Sequence, residues 1–227
     1  AVHESDWNWK NIKSPYFRLY LVDEGEAGIE VEGKFTRLTP NHLYIIPPFA
    51  QHSYSCDSHF ALYYLHIYEE QLQGSSIFEQ MRFPTEVKAL NLDESLMKRI
   101  IEINPGRGLA MYDPSSYDNN TNLYKRIAEH THDSLHTRIE TSGIIRQLFS
   151  RFLKDAERKI ISQDSRIIKV LKFIRENINH KISVNDLASL SYLSEDHFIR
   201  LFKKEMGTTP VEYINIKKVE TAQLMLV

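Results

Sequence analysis

Two spacings of apolar residues divide the chain. Over residues 16–67 the runs are short and strand-like. In Tyr16–Val22, Phe17, Leu19 and Leu21 alternate with Arg18, Tyr20 and Val22. No helix cap precedes them, and aromatic and branched residues dominate. Gly25 and Gly28 bracket a turn, Ile29–Glu32 alternates strictly, and Gly33-Lys34 predicts a hairpin. Phe35–Leu38 returns, Thr39-Pro40-Asn41 turns again, and Leu43–Ile46 reads as a buried strand closed by Pro47-Pro48. His52–Cys56 and Phe60–Tyr68 complete the set. Many short strands punctuated by Gly and Pro predict a small barrel or sandwich.

Beyond this front the period changes to three and four. Residues 94–103 are weakly helical, and Pro105-Gly106-Arg107-Gly108 ends the pattern. From 122 to 161 there is no proline and one glycine, Gly143, so a helical hairpin is expected. Leu123 and Ile127 mark one stripe; Ile139, Ile144, Ile145, Leu148, Phe149, Phe152 and Leu153 mark a stronger one. Such a face either covers the barrel or joins a second subunit. Residues 161–165 read as a linker with Asp164 as an N-cap, and Ile167, Val170, Leu171, Ile174 and Ile178 form the next stripe.

Residues 183–213 predict two short helices around a tight turn. Ser183 and Ser194 stand at N-cap positions, Ser191-Tyr192-Leu193 makes the turn, and Gly207 ends the second helix. Pro210 opens a further helix. In the second helix Phe198, Leu201, Phe202 and Met206 form an apolar stripe, while Asp196, Ile199, Arg200 and Lys203 share another. An exposed stripe of this kind suits DNA. Arg bonds a guanine edge, Ile touches a thymine methyl and Lys meets a phosphate. The plainer reading is the solvated face of a helical hairpin. With Ser194 and His197 beside them, these residues are the candidate DNA contacts.

The segment SEDHFIRLFKKEMGTTPVEY resembles the first helix-turn-helix of AraC/XylS-type transcription regulators, on Leu187-Ala188, Ser194, Phe198, Arg200, Phe202, Lys203, Gly207, Pro210 and Tyr213. The family often has a small residue where Tyr192 stands. The front resembles the family's cupin-like sensor more loosely, through Glu24-Gly25-Glu26, Gly33-Lys34, Ile46-Pro47-Pro48 and His52-Ser53-Tyr54. The resemblance implies an α+β, multidomain chain. Residues 1–88 would form a cupin-like antiparallel β-barrel that senses ligand, 89–161 a helical dimerisation region, and 162–227 the helix-turn-helix with the start of a linker helix. Family members continue into a second helix-turn-helix, so the chain is expected to be a truncated regulator. The implied partners are promoter DNA, a small-molecule effector and a second copy of the chain, held through helices in 122–157.

For the effector, strand period places Arg18, Tyr20, Val22 and Glu24 on one face. Arg18, Tyr20, Glu24, His52, Tyr54, Tyr63 and Leu65 are the candidate ligand contacts; the resemblance implies Glu24, Tyr54, Tyr63 and Leu65 together with an N-terminal arm. Trp7 and Trp9 are placed to lid the pocket or to pack on the barrel. Arg, Glu and Tyr bond hydroxyl-rich molecules and aromatic faces stack on sugars, so a carbohydrate is the first candidate. The rival is a cupin-fold metal-dependent enzyme. Against it, His52 is followed by Ser53-Tyr54 rather than a second histidine, and His42, His59 and His66 have no ligand spacing. His130, His132 and His136 read as a solvated face. No catalytic residue, metal or cofactor is expected. A third possibility is a dimerising scaffold without its own ligand.

Composition adds little to this and contradicts none of it. The chain of 227 residues is 42% hydrophobic and 26% charged, which fits a soluble protein of two domains. The single cysteine, Cys56, excludes an intrachain disulfide. There is no membrane-length apolar run, and the N-terminus has no signal-peptide core, so a cytoplasmic protein is expected. Net charge is −2, but residues 158–227 carry 12 basic and 8 acidic residues while the remainder carries 16 and 22. An acidic front and a basic back suit a sensor joined to a DNA reader.

Overall fold

The alternating front and the segments flanking it fold as nine antiparallel strands that pair into two sheets, with the strand Phe17–Gly25 at the middle of the larger one. The computed structural model describes residues 1–4, 6–69, 76–109, 112–114 and 134–225. They divide into two compact units, Ala1–Glu69 with Phe83–Ala156, and Glu70–Arg82 with Glu157–Leu226.

In the first unit the strands are β1 (Val2–Glu4), β2 (Trp9–Ile12), β3 (Phe17–Gly25), β4 (Ala27–Val31), β5 (Lys34–Leu38), β6 (His42–Ile46), β7 (His52–Ser55), β8 (His59–Ile67) and β10 (Glu86–Lys88). The five-stranded sheet has the order β1-β8-β3-β6-β10 and the four-stranded sheet the order β2-β7-β4-β5. Their inner faces share one core. Tyr20, Val22, Tyr44, Ile46, Phe60 and Leu62 meet Ile29, Leu38 and Tyr54 there.

Local turn chemistry holds this register. Glu32 and Gly33, both at positive φ (50° and 82°), make the two-residue turn between β4 and β5, the twist that a right-handed hairpin favours. Asn41 takes the left-handed conformation expected of it, at φ 63°.

β3 is buried on both faces from Phe17 to Val22. Its second face is covered by helix α3 (Leu135–Leu153), whose Phe149 ring lies 5.6 Å from that of Phe17. In α3, Ile144, Leu148 and Phe152 are buried, whereas Ile139 and Leu153 are exposed, so the inward stripe is narrower than the pattern predicts. Helix α2 (Asn91–Ile103) runs antiparallel to α3. Arg151 donates to the fully buried Asp93 at 3.0 Å, Arg99 donates to Glu140 at 2.7 Å, and Asn104 donates to Thr141 at 2.9 Å. The weak helix at 94–103 is thus a true partner of α3. The first half of the expected hairpin, with Leu123, Ile127, His130 and His132, lies outside the described residues.

The second unit begins with helix α1 (Ile77–Gln80) and β9 (Met81–Arg82), which pairs with β11 (Glu157–Arg158). Helices α4 (Ser165–Glu176), α5 (Val184–Leu190), α6 (Glu195–Met206) and α7 (Pro210–Met225) follow. Asp164 caps α4 as expected, accepting the Arg166 N–H at 2.9 Å. Ile167, Val170, Leu171 and Ile174 of α4, Leu187 and Ala188 of α5, Phe198 and Phe202 of α6 and Ile214 of α7 form its core. No described helix is long and apolar enough to cross a membrane.

Candidate nucleic-acid interface and ligand cavity

The helix-turn-helix is set by caps at each corner. Ser183 Oγ accepts the Asp186 N–H at 3.1 Å and starts α5. The turn is closed by Ser191, fully buried, whose Oγ donates to the Ala188 carbonyl at 2.8 Å. Tyr192 sits in the left-handed region at φ 57° and is 86% exposed. This is where a side chain costs most and glycine least. The Lys169 ammonium lies 5.2 Å from the ring centroid and offsets part of that cost. Ser194 occupies the N-cap position of α6 with extended backbone, and its carbonyl accepts the Phe198 N–H at 2.9 Å. Its hydroxyl makes no capping bond, which corrects the expectation of a side-chain cap. At the other end Gly207, at φ 75°, donates to the Lys203 carbonyl at 2.9 Å. Thr209 and Glu212 then cap α7 reciprocally: the Thr209 N–H donates to Glu212 at 3.1 Å, and the Glu212 N–H donates to Thr209 Oγ1 at 3.3 Å. The Thr209 N–H is the main reason the Glu212 carboxyl is held below its ordinary range.

These corners leave α6 with one face inside and one outside. Phe198 and Phe202 are fully buried with rings 5.6 Å apart, and Tyr213 of α7 meets Phe202 edge-on at 5.6 Å. Ser194, Asp196, His197, Arg200 and Lys203 are exposed. Arg200 Nε leans back one turn onto the Asp196 carbonyl at 3.3 Å. Ile199 departs from the predicted stripe: it is half-buried and packs against the helical core. The outward set is therefore polar, with Ile199 at its margin.

In the first unit the candidate ligand residues separate. Tyr20 and Tyr54 are buried and their hydroxyls lie 2.7 Å apart. His52 Nε2 is 3.0 Å from the Tyr54 hydroxyl, and its Nδ1 is 2.9 Å from the Ala50 carbonyl. A carbonyl only accepts, so Nδ1 carries the proton and Nε2 accepts from Tyr54. Tyr54 in turn accepts from Tyr20, giving a directed relay from Tyr20 to Tyr54 to His52. Burial, reinforced by the Arg18 charge, pushes the His52 imidazole down to about 3. His66 is lowered in the same way by burial, Arg18 and His52. Arg18 is itself buried, donating to Tyr16 at 3.3 Å.

The cavity beside this relay holds only about 20 Å³ and is lined by His3, Trp7, Tyr20, Tyr54, Tyr64 and His66 among others. That is room for about one water. Trp7 fills the rest of the space: it is buried and stacks on Tyr54 at 4.1 Å between centroids. Trp7 is expected to lid the pocket or to pack on the barrel; its ring instead lies within the core and lines the cavity.

Glu24, Tyr63 and Leu65 are not in this cavity. The register of β3 and β8 shifts between Val22 and Glu24, where Asp23 is the extra residue of a bulge. The bulge turns Glu24 outward, 71% exposed and 3.4 Å from His59. Tyr63 pairs with Leu21 and Leu65 with Leu19, so both project from the opposite face. Their neighbours Tyr64 and His66, which pair with Tyr20 and Arg18, face the cavity instead. Strand period alone does not separate Tyr63 from Tyr64, and Tyr112, which meets His3 at 4.9 Å from a loop, leaves no signal in the sequence. Among the described residues, no three His, Cys, Asp or Glu side chains gather as a metal site.

Residues 174–215, from the end of α4 into α7, match the bacterial regulatory helix-turn-helix proteins of the AraC family. This segment is similar to the helix-turn-helix of that family. The chain is similar to a probable transcriptional regulator, LumQ, of Photobacterium leiognathi: 22% identical over 232 residues, 95% of this chain and 82% of that protein. It is 34% identical over 101 residues to a xylDLEGF operon transcriptional activator of Pseudomonas putida, covering 44% of this chain and 32% of the activator. The chain thus matches about a third of that activator's length. The solved structure of ToxT from Vibrio cholerae overlaps 94% of this chain and 95% of its own at 11% identity, with a TM-score of 0.32, too loose to relate the two part by part.

Proposed function

We propose that this chain is a cytoplasmic, sequence-specific transcription regulator of the AraC type, controlled by a small polar effector. Residues 1–88 sense the effector, 89–161 pair two copies, and 162–227 read DNA. The observation that carries the DNA reading is the outward face of α6. Arg200 and Lys203 are exposed one turn apart on a helix whose opposite side is locked by Phe198 and Phe202. Arg200 is the base reader, Lys203 meets a phosphate, and Asp196, His197 and Ile199 bias the base preference, with Ser194 at the helix start. The test is Arg200→Ala against DNA selected from a random pool by the wild-type chain. Unchanged affinity and unchanged base preference would sink the assignment.

For the effector, the Tyr20–Tyr54–His52 relay and the Trp7 ring support a hydroxyl-rich molecule, a carbohydrate first. The relay exchanges hydrogen bonds with hydroxyls, and an indole face stacks on sugar C–H surfaces. A sugar is far larger than one water, so Trp7 leaves its place when the effector enters. Thermal-shift screening against monosaccharides and other small metabolites checks this, since a specific binder raises the melting temperature. Exposed Leu135, Ile139 and Leu153 on α3 support pairing into a homodimer through this helix.

A further inference from the structure

The second unit holds a cleft of its own, of about 310 Å³, between the β9–β11 pair and helices α4 and α7. Its lining is amphipathic. Ile160 is 77% exposed and Ile161 38% exposed, and they line the cleft together with Leu171 and Tyr213. Among the described lining residues, Arg82, Lys159, Arg175 and Lys217 stand beside these apolar side chains against one acid, Glu79. Two of the cations are already engaged. Lys217 donates to Glu79 at 2.6 Å and to Glu220 at 2.8 Å, and Lys159 donates to the Phe78 carbonyl at 2.7 Å. Burial would lower the Lys217 ammonium, but Glu79 and Glu220 outweigh it and raise it, so it stays charged. Among the described residues, neither Arg82 nor Arg175 has a carboxylate within ion-pair distance. Two guanidiniums beside bare aliphatic surface, in a chain of net charge −2, mark a place built for the opposite sign.

We propose that this cleft binds a small amphipathic organic anion, with its carboxylate or phosphate head on Arg82 and Arg175 and its apolar body on Ile160, Leu171 and Tyr213. The site is separate from the barrel cavity and goes beyond the proposed sensing role of the strand unit. Its occupant touches the base of the DNA reader. Tyr213 lies against Phe202, and Phe202 against Phe198, the two rings that seat α6. A molecule lodged on Tyr213 therefore bears on the seat of α6.

The test needs no DNA, so its failure and the failure of the DNA-reading assignment are distinguishable. The whole chain is titrated with hexanoate, phenyl phosphate, hexan-1-ol and inorganic phosphate while the Tyr213 ring signals are followed by NMR. Hexanoate and phenyl phosphate are expected to bind saturably and move the Tyr213 signals, with hexan-1-ol and inorganic phosphate at least tenfold weaker. The relative affinity of hexanoate and phenyl phosphate tells which head group the arginines prefer. Arg82→Gln with Arg175→Gln is expected to weaken the better probe at least tenfold. Hexanoate binding no better than hexan-1-ol, phenyl phosphate no better than inorganic phosphate, or still Tyr213 signals in the wild-type chain would each overturn the proposal. The wild-type titration decides the matter even if the double variant does not fold.

Discussion

Tyr20 and Tyr54 meet hydroxyl to hydroxyl at 2.7 Å in the core of the strand unit, one from each of its two sheets. The contact ties the sheets together with a polar link where most neighbours are apolar. His52 accepts a hydrogen bond from the Tyr54 hydroxyl on the other side. Removing the Tyr54 hydroxyl breaks two buried hydrogen bonds at once, those to Tyr20 and to His52. Tyr54→Phe is therefore expected to destabilise the unit by about 1–3 kcal/mol. Urea denaturation measures it. The double variant with Tyr20→Phe is expected to cost less than the sum of the two single changes, because one relay is lost only once.

Acid should unfold the strand unit early. His52 is held at about 3 in the fold, against 6.5 for an ordinary histidine. Below pH 6.5 the unfolded chain takes up a proton that the folded chain refuses, so stability falls with pH until the folded imidazole titrates. The slope from this one residue approaches about 1.4 kcal/mol per pH unit. His66 shifts in the same direction and steepens it. Urea midpoints between pH 7 and pH 4 read the effect, and His52→Gln is expected to flatten the curve.

Backbone conformation predicts opposite signs at the two ends of α6. Gly207 lies at φ 75° with open space where a Cβ would point. Gly207→Ala thus meets no clash and costs only conformation, about 1 kcal/mol. Tyr192 adopts φ 57° with a side chain already present. Tyr192→Gly relieves that strain and is expected to gain up to about 1 kcal/mol, less the loss of the Lys169 contact. Thermal denaturation of the two variants checks the pair.

On DNA, Arg200 and Lys203 are expected to behave differently. Arg200→Ala should cost about 1–3 kcal/mol and relax preference at one base position. Lys203→Ala should weaken binding evenly across sequences and lower the slope of log affinity against log salt by about 1. Titrations at several salt concentrations with selected and scrambled DNA separate the two.

The helical unit was legible in the chain because helices are local. Asp164, Ser183, Gly207 and Pro210 do their work within a turn or so of their own position, and a 3.6-residue period puts Phe198 and Phe202 inside whatever packs above them. Ile199 escaped this reading because it lies at the margin of the stripe, where neighbouring helices decide how much is covered.

Strands are different. The sequence by itself determined that strands occur and that Asn41 takes a left-handed conformation, while the hairpin expected at Gly33-Lys34 turns one residue earlier, at Glu32-Gly33. Which side of each strand looks inward was left to tertiary structure. A period of two is symmetric, both faces of β3 are covered, and one extra residue at Asp23 reverses everything that follows it on the strand. Pairing between strands about forty residues apart put Tyr64 and His66 at the cavity rather than Tyr63 and Leu65. The same long-range packing brought Trp7 onto Tyr54, a contact that no local pattern encodes.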